Sequence, residues 1–112
     1  MNTPSKVKFV NENIKNELYK LSQGRSEDKE LFENITYAIE SLKTNINCGI
    51  RIKEGRMPKT YRQKYGIEKI LKYNLPNGWR LIYTIVRYDS EELICLILEW
   101  FDHNEYERRF KY

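Results

Sequence analysis

Three places in this sequence combine residue types and spacings that suit work on phosphate groups. The first is Arg80, in the run Gly78-Trp-Arg-Leu-Ile-Tyr83. Strand alternation there sets Trp79, Leu81, Tyr83 and Ile85 on one face and Arg80, Ile82, Thr84 and Val86 on the other. An arginine opening so apolar a strand is either held by a carboxylate as a structural ion pair or aimed into a groove, where its planar fork binds phosphate through two parallel hydrogen bonds. The second is His103, the only histidine. It falls at the start of the last expected helix, with Tyr106 three residues on along the same face. Imidazole exchanges protons near neutral pH, as a general acid or base must; a surface histidine without a role is the plain alternative. The third is the basic stretch holding Lys59, Arg62, Lys64, Lys69 and Lys72, interleaved with Tyr61, Tyr65 and Tyr73. Lysine and arginine supply affinity for phosphates without reading sequence, and tyrosine rings stack on unpaired bases. The alternative is a solvated surface.

The charge distribution favours a polyanionic partner. The net charge of +4 is unremarkable, yet it is unevenly spread: residues 1–50 are neutral, residues 51–86 carry nine Lys/Arg against Glu54 and Glu68, and the remainder is acidic. Such asymmetry is the electrostatic footprint of a phosphate-rich partner. Phosphate-loop, dinucleotide-fingerprint and zinc-protease motifs are absent, and Cys48 and Cys95 share no metal-ligand or redox spacing, so no cofactor and no metal is expected. The longest apolar run, Leu93–Leu98, is far short of the roughly 20 residues of a membrane span. With no apolar signal core after Met1 and two thiols expected to stay reduced, a cytoplasmic chain is expected.

The elements that must position these residues are legible from periodicity. Lys6–Val10 alternates as a short first strand. Val10, Ile14, Leu18 and Leu21 recur at helical spacing, predicting a helix over residues 11–22 that ends at Gly24. Ser26 opens a second helix, with Lys29 at the capping-box position and the stripe Leu31, Ile35, Ala38, Ile39, Leu42. Residues 44–66 are punctuated by Gly49, Gly55, Pro58 and Gly66, with one or two helical turns over Lys59–Tyr65. Ile67–Leu75 reads as a strand, Pro76-Asn-Gly78 as a hairpin turn and Trp79–Arg87 as its partner. After a turn at residues 89–92, Leu93–Phe101 is apolar enough to lie in the middle of a sheet with both faces covered. Asp102 then caps a short helix through Phe110, with Glu105 at the capping-box position. The expectation is one α+β domain over residues 1–112: an N-terminal strand and an α-helical hairpin packed on a small antiparallel sheet, closed by a short C-terminal helix.

The run from Tyr65-Gly66 through Leu75-Pro-Asn-Gly-Trp-Arg-Leu-Ile-Tyr-Thr-Ile85 to Ile97-Leu-Glu-Trp-Phe-Asp-His-Asn-Glu-Tyr-Glu-Arg-Arg-Phe110 resembles the RelE/ParE superfamily of type II toxins, particularly its ParE-like branch. The resemblance implies a toxin neutralised by a cognate antitoxin protein whose helix or strand covers the sheet and the basic groove. RelE-like members cleave messenger RNA in the ribosomal A site, the ribose 2′-hydroxyl attacking to leave a cyclic phosphate. On that pattern Arg80 is the phosphate-binding arginine, Tyr106 matches a C-terminal tyrosine, and His103 matches a proton-transferring histidine. The sequence departs from RelE in having Trp100-Phe-Asp102 where that protein has a basic run, and residues 44–60 are longer than the usual linker. ParE-like members instead poison DNA gyrase and need no active site. A non-catalytic nucleic-acid or ribosome-binding module on the same fold is a third class.

Overall fold

The computed structural model describes residues 2–89 and 91–110; Ser90, in the turn expected at residues 89–92, lies outside them. Asn11 opens helix α1 (Glu12–Ser22), its side-chain oxygen accepting from the Ile14 N–H at 2.9 Å. Helix α2 (Ser26–Thr44) begins one residue earlier than its serine suggested. Arg25 is the cap, so Asp28 rather than Lys29 occupies the third helical position, and the Asp28 carboxylate accepts from the Arg25 N–H. A carboxylate there satisfies an orphan donor and complements the helix dipole. The expected Asp102 cap is present: its carboxylate accepts from the Glu105 N–H at 2.8 Å and opens α4 (His103–Phe110). Helix α3 (Lys59–Tyr65) stops at Gly66, whose φ of 67° is left-handed.

Five strands form one sheet: β1 (Lys6–Phe9), β2 (Ile50–Arg51), β3 (Leu71–Asn74), β4 (Arg80–Arg87) and β5 (Leu93–Phe101), in the order β1-β5-β4-β3-β2. The expected strand over residues 67–75 is shorter than its apolar pattern, and β2 had no legible signal. From β2 to β5 each strand is antiparallel to its neighbour, but β1 joins β5 in parallel, so the sheet is mixed. Alternation in Lys6–Phe9 fixes which side chains face inward and is silent on strand direction. Between β3 and β4, Asn77 and Gly78 both have positive φ, the conformation an Asn-Gly hairpin turn requires.

Helices cover both faces. Helix α2 buries Leu31, Ile35, Ala38 and Leu42 against Leu81, Tyr83, Cys95 and Ile97, and α1 packs the partly buried Ile14, Leu18 and Leu21 against the same core. On the opposite face, α3 and α4 contribute Tyr61, Tyr106 and Phe110 to a second core with Ile70, Ile82, Leu98 and Phe101. One irregularity matters for the site. The β4–β5 register passes from Ile82 opposite Glu99 to Tyr83 opposite Ile97, leaving Leu98 as the extra residue of a bulge. Strict alternation from Cys95 and Ile97 would turn Glu99 and Phe101 toward the α1–α2 hairpin. The bulge reverses this, so Phe101 joins the second core and Trp100 the first.

Candidate nucleic-acid interface on the second sheet face

Lys72 pairs with Ile82, and Arg80 with Asn74 and Phe101, which puts both cations on the face covered by α3 and α4. There they converge on one ring. The Lys72 ammonium lies 4.9 Å and the Arg80 guanidinium carbon 5.5 Å from the Tyr106 ring centroid. Aromatic faces attract cations through their quadrupole, and a ring shared by two cations holds them near each other despite their repulsion. Tyr106 itself is 2% exposed and stacks on Phe110 with ring centroids 4.5 Å apart. It is therefore a platform within the core.

Arg80 is half-buried, with one terminal nitrogen donating to the Trp79 carbonyl at 3.2 Å. Its Nε is buried without a hydrogen-bond partner, and no carboxylate among the described residues pairs with it. Of the two readings open for this arginine, the structural ion pair finds no partner there. A guanidinium without a carboxylate partner, beside a second cation, is suited to meet a phosphate through its terminal nitrogens; the Nε is closed to solvent and is not among the donors it offers.

His103 sits at the start of α4, about half exposed, its Nε2 2.9 Å from a Glu107 carboxylate oxygen. Across from it is Gly78, where a Cβ would come within 3.2 Å of the His103 Cβ. The Asn-Gly turn thus brings the start of β4 against the histidine. Glu107 is the residue that sequence reading missed. Its spacing of four from His103 was the available signal, since side chains four apart on a helix meet. A carboxylate on one ring nitrogen fixes the tautomer and leaves the other nitrogen for proton exchange.

The basic segment divides. Lys59, Arg62 and Lys64 project from α3, which the buried Tyr61 anchors beside Phe110 in the same layer as Tyr106. Arg62 is partly neutralised by Glu54 at 3.2 Å, and Lys64 lies over the Tyr65 ring at 5.2 Å. Lys69 is exposed, on the segment leading into β3. Beneath α3 and α4, the bulge gives Glu99 to this face. Burial first, and then the Glu99 carboxylate, push the Tyr61 phenol far above its ordinary range, so it stays protonated. Arg109 spans Glu99 at 3.7 Å and Glu105 at 2.7 Å while lying 4.4 Å over the Phe101 ring. The Arg108 and Arg109 hydrogen bonds hold the Glu105 carboxyl below its usual range. Among the described residues, no group of three or more His, Cys, Asp or Glu side chains is arranged to hold a metal ion, and no helix is long and apolar enough to cross a membrane.

Comparison with models of known families, with curated proteins and with solved structures gives no match for this chain.

Proposed function

We propose that this chain is the toxin of a type II toxin–antitoxin pair of the RelE/ParE kind, a cytoplasmic endoribonuclease that cuts messenger RNA on the ribosome. The observation that carries the reading is Arg80, half-buried beside Lys72 at the Tyr106 ring, with no described carboxylate partner. In this reading Arg80 and Lys72 hold the scissile phosphate. The ribose 2′-hydroxyl attacks phosphorus, the bond to the 5′-oxygen breaks, and a 2′,3′-cyclic phosphate remains. The proton lost by the 2′-hydroxyl is matched by one gained at the leaving 5′-oxygen, and His103, oriented by Glu107, serves that transfer. Stabilising the charge that develops on the phosphoryl oxygens is the largest task of such a site, and two fixed cations suit it. The cations of α3 and Lys69 contact ribosomal RNA. An acidic antitoxin is the expected partner.

Tyr106 has a different part from the one the resemblance implies. In this reading the ring, 2% exposed, is the surface on which the two cations rest, and His103 carries the proton transfer. That burial also favours a second reading, in which the same face is a ParE-type binding surface for DNA gyrase and His103 is incidental.

Purified protein added to a cell-free translation reaction, with new 5′ ends mapped on the messenger, separates the two. New ends that require ribosomes and vanish in both Arg80→Ala and His103→Ala support the ribonuclease. Uncut messenger with full translation sinks it and directs the test to gyrase-dependent DNA breaks. Ribosome binding that weakens steeply with added salt supports phosphate contacts by the basic segment; a flat response returns those residues to a solvated surface.

A further inference from the structure

On the sheet face away from Arg80, a cavity of about 340 Å³ lies between the N-terminal half of α2 and the near ends of β4 and β5. Its helical wall is Glu27, Glu30, Leu31 and Asn34, which spacings of three and four residues set on one side of α2. Farther along the same side the helix is apolar, with Ile35, Ala38 and Leu42 buried in the first core. Across from this wall stand Trp79 and Trp100, both half-buried and packed on that core. Leu81 pairs with Trp100, and Trp79 precedes Leu81 by two, so the two indoles are diagonal neighbours. The cavity is therefore acidic on one side and aromatic on the other.

Its charge is uncompensated. Glu27, Asp28 and Glu30 line it, no lysine or arginine does, and none of the three carboxylates is in an ion pair among the described residues. Asp28 accepts from the Arg25 N–H at 3.2 Å and Glu30 from the Asn77 amide at 3.4 Å, bonds that leave the charge in place. The helix dipole accounts for Glu27 and Asp28 in the first turn, but not for Glu30 or for the tryptophans opposite. Indole is the aromatic face that attracts cations most strongly, and more so where water is excluded.

We infer that this cavity binds a linear alkyl polyamine, whose ammonium groups donate to Glu27 and Glu30 and whose methylenes lie along Trp79, Trp100 and Leu31. A divalent metal ion is the wrong occupant. Half the wall is apolar, and no group of three or more His, Cys, Asp or Glu side chains among the described residues is arranged to hold one. A quaternary ammonium suits the rings but brings no N–H to the carboxylates. An extended peptide finds no open strand, because Arg80, beside the cavity, is paired with both Asn74 and Phe101. The inference does not depend on Arg80 or Lys72 binding phosphate on the other face.

The test titrates the isotope-labelled full chain with spermidine and follows the indole N–H signals of its two tryptophans. Both are expected to shift saturably, with a dissociation constant of about 1 mM or tighter at low salt. Glu27 and Glu30 are exposed, so the double variant Glu27→Gln, Glu30→Gln keeps the fold, seen as unchanged amide signals elsewhere. Binding is expected to weaken about tenfold in that variant, and about tenfold for fully quaternised spermidine, which keeps the charges and loses every N–H donor. No saturable shift of the indole signals overturns the inference. So does undiminished binding by the double variant or of the quaternised amine, or an equal shift from magnesium ions. Tighter binding of an oligolysine peptide overturns the free amine as the ligand and gives the site to a protein side chain.

Discussion

Replacing Arg80 with methionine separates function from stability. In the wild type, the guanidinium gains a cation–π contact with Tyr106, which contributes about 0.5–1 kcal/mol at exposed sites and about 2 when desolvated. Against this stands a buried Nε without a partner, and leaving a buried donor unsatisfied costs about 1–3 kcal/mol. The two nearly cancel. Methionine retains much of the stem's packing and removes both, so Arg80→Met is expected to unfold within about 1 kcal/mol of the wild type. A half-buried arginine in a structural ion pair behaves differently, since removing one partner of a buried pair costs about 3–5 kcal/mol. If the chain cleaves messenger as proposed, cleavage is expected to move independently of stability. Loss of one fixed donor to the developing phosphoryl charge lowers the rate about 10²- to 10³-fold. Arg80→Lys falls between, keeping the charge and losing the two-pronged geometry. The assay pairs urea unfolding, followed by the fluorescence of Trp79 and Trp100, with messenger cleavage at the same temperature. Destabilisation by more than about 3 kcal/mol refutes the reasoning, because it makes Arg80 a structural residue. Full cleavage in a stable Arg80→Met chain refutes it from the other side.

Tyr106→Ala removes a ring that is 2% exposed and stacked on Phe110, and is expected to cost about 3–5 kcal/mol, read as a lowered thermal midpoint. Gly78→Ala forces a side chain onto a φ of 81° and toward His103, and is expected to cost about 1–3 kcal/mol in urea unfolding while displacing the histidine resonances. Burial pushes the Cys95 thiol from its ordinary 9.0 up to about 12. Between those values the unfolded chain has lost that proton and the folded chain has kept it, so stability should fall as pH rises from about 9 toward 12. Cys95→Ala should flatten that part of the profile, and an unchanged slope rules out the thiol as its source. At neutral pH an alkylating reagent should add to the exposed Cys48 alone, with Cys95 reacting only after denaturation; two adducts on native protein contradict the burial.

Local chemistry by itself determined the pieces of this protein. The 3.6-residue stripes of the helical hairpin, the Asn-Gly turn at positive φ, the Asp102 cap and the doubly buried Leu93–Phe101 strand are each set by side chains within a few residues, so the α+β class was legible. The face that Arg80 occupies was legible too, because strand alternation carries it. Tertiary structure alone decided how the pieces meet. The parallel docking of β1 on β5, the placement of α3 and α4 on the second sheet face, and the early end of the β3–β4 ladder are non-local pairings that leave no periodic trace. The bulge at Leu98 is the clearest case. One extra residue turns Glu99 and Phe101 to the opposite face, and nothing in the apolar run Leu93–Leu98 announces it, because apolar residues suit both sides of a sheet buried on both faces. Likewise the sequence places Tyr106 only on the helix face of His103, and packing against Phe110 is what makes it the floor on which Lys72 and Arg80 rest.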